Sequence, residues 1–277
     1  MLKLVATPIG NLDDITLRAL DALCEADVVF AEDTRRTLQL LNHFGIRKPL
    51  VSCRAQNEAV RAEELVPLLE AGREIVYTSD AGMPGISDPG AVLVRTCIEH
   101  GLPFTVLPGA SAVLTAAVLS GLPCASFSFF GFLPRDGRAR REAIAAIGAC
   151  GHLALLYESP HRVAGTLADL AAALGERPAA LLRELTKRHE TVERGMLSTL
   201  AERFAAEAPR GECVIAVLAD RRDPCPQADA GALDAALSAL LQAGLSVRDA
   251  AAEAAKSAGV SKKTAYARAL EIRGETP

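Results

Sequence analysis

The residues best suited to chemistry lie in one stretch, Thr78-Ser79-Asp80-Ala81-Gly82-Met83-Pro84-Gly85-Ile86-Ser87-Asp88-Pro89-Gly90. An apolar run, Ile75-Val76-Tyr77, leads into it as a buried strand. Asp88-Pro89 leaves it as an N-cap followed by proline at the first helical position. The Asp80 carboxylate is therefore expected at the carboxyl end of a strand, where open α/β sheets bind ligands. Glycines 82, 85 and 90 let backbone approach a ligand closely, and the helix start offers free N–H groups to an anionic group. A surface turn rich in proline and glycine would have the same composition. The loop is long for a strand-to-helix connection, which favours a site.

The same arrangement recurs along the chain. The predicted strand Leu2–Ala6 ends in Thr7-Pro8-Ile9-Gly10-Asn11, and the strand from Asp27 to Ala31 ends in Glu32-Asp33-Thr34-Arg35-Arg36. A capped helix start explains Asp33 and Thr34 as well as a functional role does. Phe104–Leu107 closes in Pro108-Gly109-Ala110-Ser111-Ala112. Two polar clusters, Tyr157-Glu158-Ser159-Pro160-His161-Arg162 and Lys187-Arg188-His189-Glu190, also fall at strand ends. His161 and His189 lack metal-ligand spacing to cysteine or to a second histidine, so no metal site is predicted. The seven cysteines (24, 53, 97, 124, 150, 213 and 225) contain no CxxC pair and read as reduced thiols. Four arginines fall in Arg135-Asp136-Gly137-Arg138-Ala139-Arg140-Arg141, read as a glycine-containing loop; such a run is either a solvated face or a phosphate contact. There is no GxGxxG, no GxxxxGK[ST] and no GxSxG, which leaves dinucleotide, P-loop and serine-hydrolase sites unsupported.

The elements that must position these groups are those of an α/β protein. Half of the 277 residues are apolar, aromatics are scarce and tryptophan is absent, which suits helices packed on a parallel sheet. The pattern predicts a helix carrying Ile15, Leu17, Leu20 and Leu23, a strand over Pro49–Cys53, and helices over Asn57–Ala71 and from Pro89 to about His100. The helix after Ser111 is almost wholly apolar and is expected to be buried. Gly121-Leu122-Pro123 marks a boundary between a domain over 1–121 and a second over 122–223. In the second, Phe127–Phe132 is expected as a strand buried on both faces, in preference to a base-stacking platform. Strands follow over His152–Tyr157, Ala179–Leu185, Glu190–Met196 and Glu212–Ala219, with helices over Arg162–Leu174 and Leu197–Ala206. One strand directly follows another there, so this sheet is expected to be mixed. A linker over Asp220–Gly231 opens a tail, 224–277, with helices over Leu233–Ala243, from Ser246 to about Ala258-Gly259, and over Lys262–Ile272. Lys262, Lys263, Tyr266 and Arg268 on the last helix outline a helix-turn-helix; a plain helical tail fits equally. The net charge of −4 argues against bulk attraction to nucleic acid and leaves local patches open. Without an apolar run of about 18 residues or a leader, the chain is expected in the cytoplasm and off the membrane.

Taken together, the motifs resemble the RNA-modifying branch of the tetrapyrrole (corrin/porphyrin) methylase superfamily. The resemblance rests on Ala6-Thr7-Pro8-Ile9-Gly10-Asn11-Leu12-Asp13-Asp14-Ile15-Thr16, Glu32-Asp33-Thr34-Arg35, Ser79-Asp80-Ala81-Gly82 with Asp88-Pro89-Gly90, and Pro108-Gly109-Ala110-Ser111-Ala112. Gly131-Phe132-Leu133-Pro134, Tyr157-Glu158-Ser159-Pro160-His161-Arg162 and Arg183-Glu184-Leu185-Thr186-Lys187 complete it, in order, over roughly residues 2 to 220. It implies two α/β domains, a mainly parallel sheet and a mixed one, holding S-adenosylmethionine between them, with a small helical appendage. It implies 2′-O-methylation of a cytidine in the decoding region of 16S rRNA, on the RNA or the small subunit, and usually a homodimer. By the same resemblance Pro8, Asp80, Gly82, Met83, Ser111, Ala112 and Tyr157 are expected at the cofactor. Ser-Asp-Ala in place of the porphyrin enzymes' Gly-Asp-Pro disfavours a tetrapyrrole substrate. A small-molecule corrin or porphyrin methylase and a non-catalytic nucleic-acid-binding protein are the alternatives. A ribose hydroxyl needs a base or a cation, and Asp33, Lys187 and Glu190 are the candidates. Arg35, Arg36, Arg138, Arg140 and Arg141 are expected to clamp phosphates of a splayed RNA strand.

Overall fold

Short, mostly apolar runs build the first sheet, as strands covered by helices on both faces require. They are β1 (Leu2–Val5), β2 (Val28–Ala31), β3 (Leu50–Ser52), β4 (Ile75–Thr78) and β5 (Phe104–Leu107), all parallel, in the order β3-β2-β4-β1-β5. The computed structural model describes residues 1–219, 230–257 and 262–273. The chain forms two compact units, Met1–Ala219 and Asp220–Pro277. Helices α1 (Leu17–Glu25) and α2 (Thr34–His43) cover one face through Leu23 and Leu41, against Val5, Val29 and Leu107. Helices α3 (Glu58–Glu70) and α4 (Ala91–Glu99) cover the other through Leu65 and Leu93, against Leu2, Leu4 and Tyr77. All strand-to-helix loops of a parallel sheet leave from its carboxyl edge, so the glycine-bearing loops gather there.

The second sheet is mixed. Strands β6 (Phe127–Phe132), β7 (Leu153–Glu158), β8 (Pro178–Arg183), β9 (Thr191–Met196) and β10 (Cys213–Leu218) lie in the order β6-β7-β10-β8-β9. Only β6 and β7 are parallel; the other pairs are antiparallel. Helices α6 (Gly137–Cys150), α7 (Val163–Leu174) and α8 (Leu197–Ala206) bury one face. The opposite face is sealed by α5 (Ala112–Leu119), whose Val113, Ala116 and Ala117 pack on Leu155, Leu182 and Val214. A helix that begins at the edge of the first sheet thus forms part of the core of the second.

Three expectations are corrected here. Helix α5 is only half buried, with Leu114 56% and Val118 75% exposed, because it has a sheet on one side only. Strand β6 is an edge strand, so Phe127 and Phe132 keep exposed rings, and its register with β7 shifts between Phe129 and Phe132. The arginine-rich stretch opens α6 and is not a loop.

The tail unit contains α9 (Ala230–Gln242), α10 (Val247–Ser257) and α11 (Lys262–Arg273). Alanines 251, 254, 265 and 269 pack with Leu237 and Val247 in its core, small side chains permitting close helix approach. Ser246 caps α10, its Oγ accepting from the Asp249 N–H and donating to the Asp249 carboxylate. Arg268 is committed within the unit, donating to both Asp234 oxygens (2.8 and 2.7 Å) and to Glu271. Ser261, the side chains of Lys262 and Lys263, and the linker over 220–229 lie outside the described residues. Among the described residues no helix is long and apolar enough to cross a membrane.

Candidate functional site

Backbone bonds stitch the loops at the carboxyl edge of the first sheet together. The Thr7 N–H donates to Gly82 O (3.0 Å) and the Gly82 N–H to Thr7 O (2.9 Å), which joins the loop after β1 to the loop after β4. Gly82 has φ 77°, a value a side chain would resist. The Asp80 N–H donates to Glu32 Oε2 (3.1 Å), and the Asp33 N–H donates back to Asp80 Oδ1 (3.0 Å). The Asp80 carboxylate also lies 3.5 Å from the Arg36 guanidinium. Ser111 caps α5, accepting from the Leu114 N–H at 3.5 Å. At Gly109 an added Cβ would come within 2.8 Å of the Ala6 Cβ, so only glycine lets the loops after β1 and β5 run this close. Gly10 meets the Leu185–Lys187 segment just as tightly, tying the first loop to the second sheet.

Between the two sheets these loops leave a cleft of about 430 Å³. Of the residues expected at a cofactor, Asp80, Gly82, Met83, Ser111, Ala112 and Tyr157 all line it; Pro8 does not, although its neighbour Ile9 does. Arg36, Ile86, Asp88, Phe132, Glu158, Leu185 and Glu212 complete much of the wall. The Phe132 and Tyr157 rings stand 5.5 Å apart. Among the described residues three non-glycine ones have left-handed backbone, Ser87 (φ 63°), Glu184 (φ 51°) and Thr186 (φ 63°), and they lie on or flank this wall. Such strain clusters where surrounding structure over-determines a site. No periodicity marks Phe132, Leu185 or Glu212 as site residues, because each reaches the cleft only when the second sheet docks. Asp88 was legible as a helix cap and as part of the Asp88-Pro89-Gly90 motif, not as a cleft residue.

That capping role is corrected. Helix α4 starts at Ala91 behind Gly90 (φ 132°), and its free N–H groups are taken by a side chain from α3. Glu58, 6% exposed, accepts from the N–H groups of Gly90 (2.8 Å), Val92 (2.9 Å) and Leu93 (3.4 Å). This helix start is therefore filled from within, and Asp88 is released to face the cleft.

The wall is acidic. Burial first, then the charges of Glu32 and Asp80, push the Asp88 carboxyl up to about 6, against the opposing effect of the Ser79 hydroxyl. Burial also raises Glu32, partly offset by the Asp80 N–H. Burial, with Asp88 and Glu212 nearby, pushes the Tyr157 phenol up to about 12. Glu158 is buried and accepts from the Ser159 N–H (2.8 Å) and the Thr166 hydroxyl (2.7 Å), with Arg162 at 3.4 Å.

The residues proposed for proton transfer or charge stabilisation do not gather in the cleft. Asp33 caps α2 and is gripped by the Arg35 side chain and N–H, which hold its carboxyl well below the usual range and make it a poor base. Burial alone would lower the Lys187 ammonium, but bonds to Glu184 and Glu212 (both 2.9 Å) outweigh it and keep it charged. Glu190 accepts from the Thr186 N–H (2.7 Å) and supports the turn. Of the arginines expected to clamp phosphates, Arg36 alone lines the cleft. Arg35 is exposed and paired with Asp33; Arg138 is exposed and paired with Glu142; Arg141 is exposed. Arg140 is 11% exposed, with its donors spent on Asp169, Thr166 and Pro134 O, so it holds α6 to α7 and is not available as a phosphate clamp.

The chain is similar to known proteins over most of its length. Residues 1–201 match the family described as Tetrapyrrole (Corrin/Porphyrin) Methylases, and residues 227–273 match the RsmI C-terminal HTH domain. The ribosomal RNA small subunit methyltransferase I of Thermotoga maritima is 44% identical over 214 residues, covering 77% of this chain and 96% of that protein. The protein of the same name from Halalkalibacterium halodurans is 48% identical over 216 residues, covering 77% and 74%. Among solved structures, uroporphyrin-III C-methyl transferase from Thermus thermophilus, complexed with S-adenyl homocysteine, superposes with a TM-score of 0.55 at 20% identity, over 78% of this chain and 96% of that one.

Proposed function

The chain belongs to the tetrapyrrole (corrin/porphyrin) methylases, among the ribosomal RNA small subunit methyltransferase I proteins, and on that premise we propose that it methylates the ribose 2′-hydroxyl of a cytidine in the decoding region of 16S rRNA, using S-adenosylmethionine. The observation that supports this reading is the meeting of Asp80, Gly82, Met83, Ser111, Ala112 and Tyr157 in one cleft between the two sheets. The donor set suits the cofactor. Its sulfonium and ammonium groups are cationic and the wall carries carboxylates, while Ile9, Met83 and Phe132 offer apolar surface and Gly82 exposes backbone. When bound, S-adenosylmethionine supplies an activated methyl group. The protein's own part is positioning and exclusion of water, by loops pinned to one another rather than free to move.

Arg36 at the rim and Arg35, Arg138 and Arg141 on the surface are proposed to contact RNA phosphates. The reading includes a homodimer working in the cytoplasm, with the rRNA or the small subunit as partner. Mapping ribose methylation on 16S rRNA from a strain lacking this gene tests it. One decoding-region cytidine should lose its 2′-O-methyl group and regain it on complementation. A methylation pattern unaltered by the deletion would refute the assignment.

A further inference from the structure

We propose that Asp88 is the group that accepts the proton of the ribose hydroxyl during transfer, an inference that rests on the 2′-O reading above. Among the described residues four carboxylates line the cleft, those of Asp80, Asp88, Glu158 and Glu212. Three are already committed. Asp80 accepts from the Asp33 N–H and faces Arg36. Glu158 is saturated by Ser159, Thr166 and Arg162. Glu212 is paired with Lys187 at 2.9 Å. Asp88 has the Ser79 hydroxyl beside it and other acids as its charged neighbours. Its place is set by backbone instead, between the left-handed Ser87 and the buried, ring-constrained Pro89.

A ribose hydroxyl is a weak acid, and a base serves it best when its own pKa lies near the working pH. The groups facing Asp88 come from several elements: Glu32 at the end of β2, Tyr77 and Asp80 around the end of β4, and Tyr157 on β7. Both tyrosines have raised pKa values and stay neutral, so burial first, and after it the negative charge of Glu32 and Asp80, makes Asp88 a stronger base than a free carboxylate. With S-adenosylmethionine bound, the hydroxyl oxygen bonds to the methyl carbon, the carbon–sulfur bond breaks with its electron pair left on sulfur, and the hydroxyl proton passes to Asp88 Oδ. Release of that proton to water restores the carboxylate.

The test uses the full chain and small ribosomal subunits lacking the modification. Asp88→Asn keeps the side chain's shape but cannot take the proton. Its kcat should fall ~100-fold or more, and the acid limb of the wild-type kcat–pH profile should vanish. Calorimetric affinity for S-adenosylhomocysteine should stay the same. Independently of any variant, carbon-detected NMR of the wild-type protein should show the Asp88 carboxyl titrating at about 6. A variant with wild-type kcat would overturn the proposal. So would a rate loss matched by lost S-adenosylhomocysteine affinity, or a carboxyl titrating in the ordinary range near ~4. Nucleoside mass spectrometry of the wild-type product separates the two readings: a methyl group on a base would remove the 2′-O assignment, and this proposal with it, whatever the variant does.

Discussion

Asp80 and Asp88 share one loop yet are held in different ways. Asp80 sits in a reciprocal backbone exchange with the loop after β2 and beside a guanidinium. Removing it should cost the cofactor a charged partner: Asp80→Ala is expected to weaken S-adenosylhomocysteine binding by ~10-fold or more, since hydrogen bonds to charged groups are worth ~1.5–3 kcal/mol. Calorimetry on the folded variant decides; unchanged affinity would remove this loop from the site. Asp88 carries a pH signature instead. Its folded pKa, about 6, is raised above the ordinary 3.8, so the native state binds the extra proton between these values. The associated stability is complete below pH ~4 and is lost as pH rises through ~6. Asp88→Asn, uncharged throughout, should therefore melt above wild type at pH 8 and not at pH 4. Allowing for solvent screening of a half-buried group, the gain is ~1 kcal/mol, or ~2–4 °C. An equal shift at both pH values would mean the charge is not the cause.

At the scale of elements, the α4 start and the α6 start show how a neighbouring helix reassigns a residue. Glu58 belongs to α3, yet its carboxylate serves three N–H groups at the start of α4 and so anchors the far end of the Asp80–Gly90 loop. Glu58→Ala should cost ~1–3 kcal/mol by stranding buried donors, with faster hydrogen exchange at Val92 and Leu93; Glu58→Gln, which still offers an acceptor, should lose less. Equal exchange in the alanine variant would show that the cap contributes nothing. In α6, helical rotation turns Arg140 onto Asp169 while Arg138 and Arg141 face outward. Replacing the outward pair should reduce the salt dependence of RNA binding, by ~0.7 in log–log slope for each phosphate that is no longer neutralised. Arg140→Ala should lower the melting temperature and leave that slope alone. The reverse pattern would return Arg140 to the interface.

For the whole molecule, a net charge of −4 gives no general attraction to RNA, so local patches must supply it. The tail unit has its own core, and the described residues that line the cleft belong to the first unit. A chain ending at Asp223 is therefore expected to fold and bind S-adenosylhomocysteine as the full chain does, while its KM for the ribosomal substrate rises. Loss of cofactor binding on truncation would mean that the tail supports the catalytic body. Unaltered kinetics would deny it a docking role.

Much of the site is written locally. Each glycine loop follows its strand immediately, so Asp80, Gly82 and Ser111 could be placed at one sheet edge from residue order alone, and the motifs named the family. Helix and strand positions also followed from short-range pattern, because periodicity and caps act within a few residues. Tertiary structure decided which groups are free. Capping of α4 by Glu58, burial of Arg140, the commitment of Asp33 and Lys187 to ion pairs, and the exposure of Phe132 on an edge strand all depend on how the folded chain packs. A side chain's charge state and availability are set by what packs around it, and that environment exists only once the two sheets enclose the cleft.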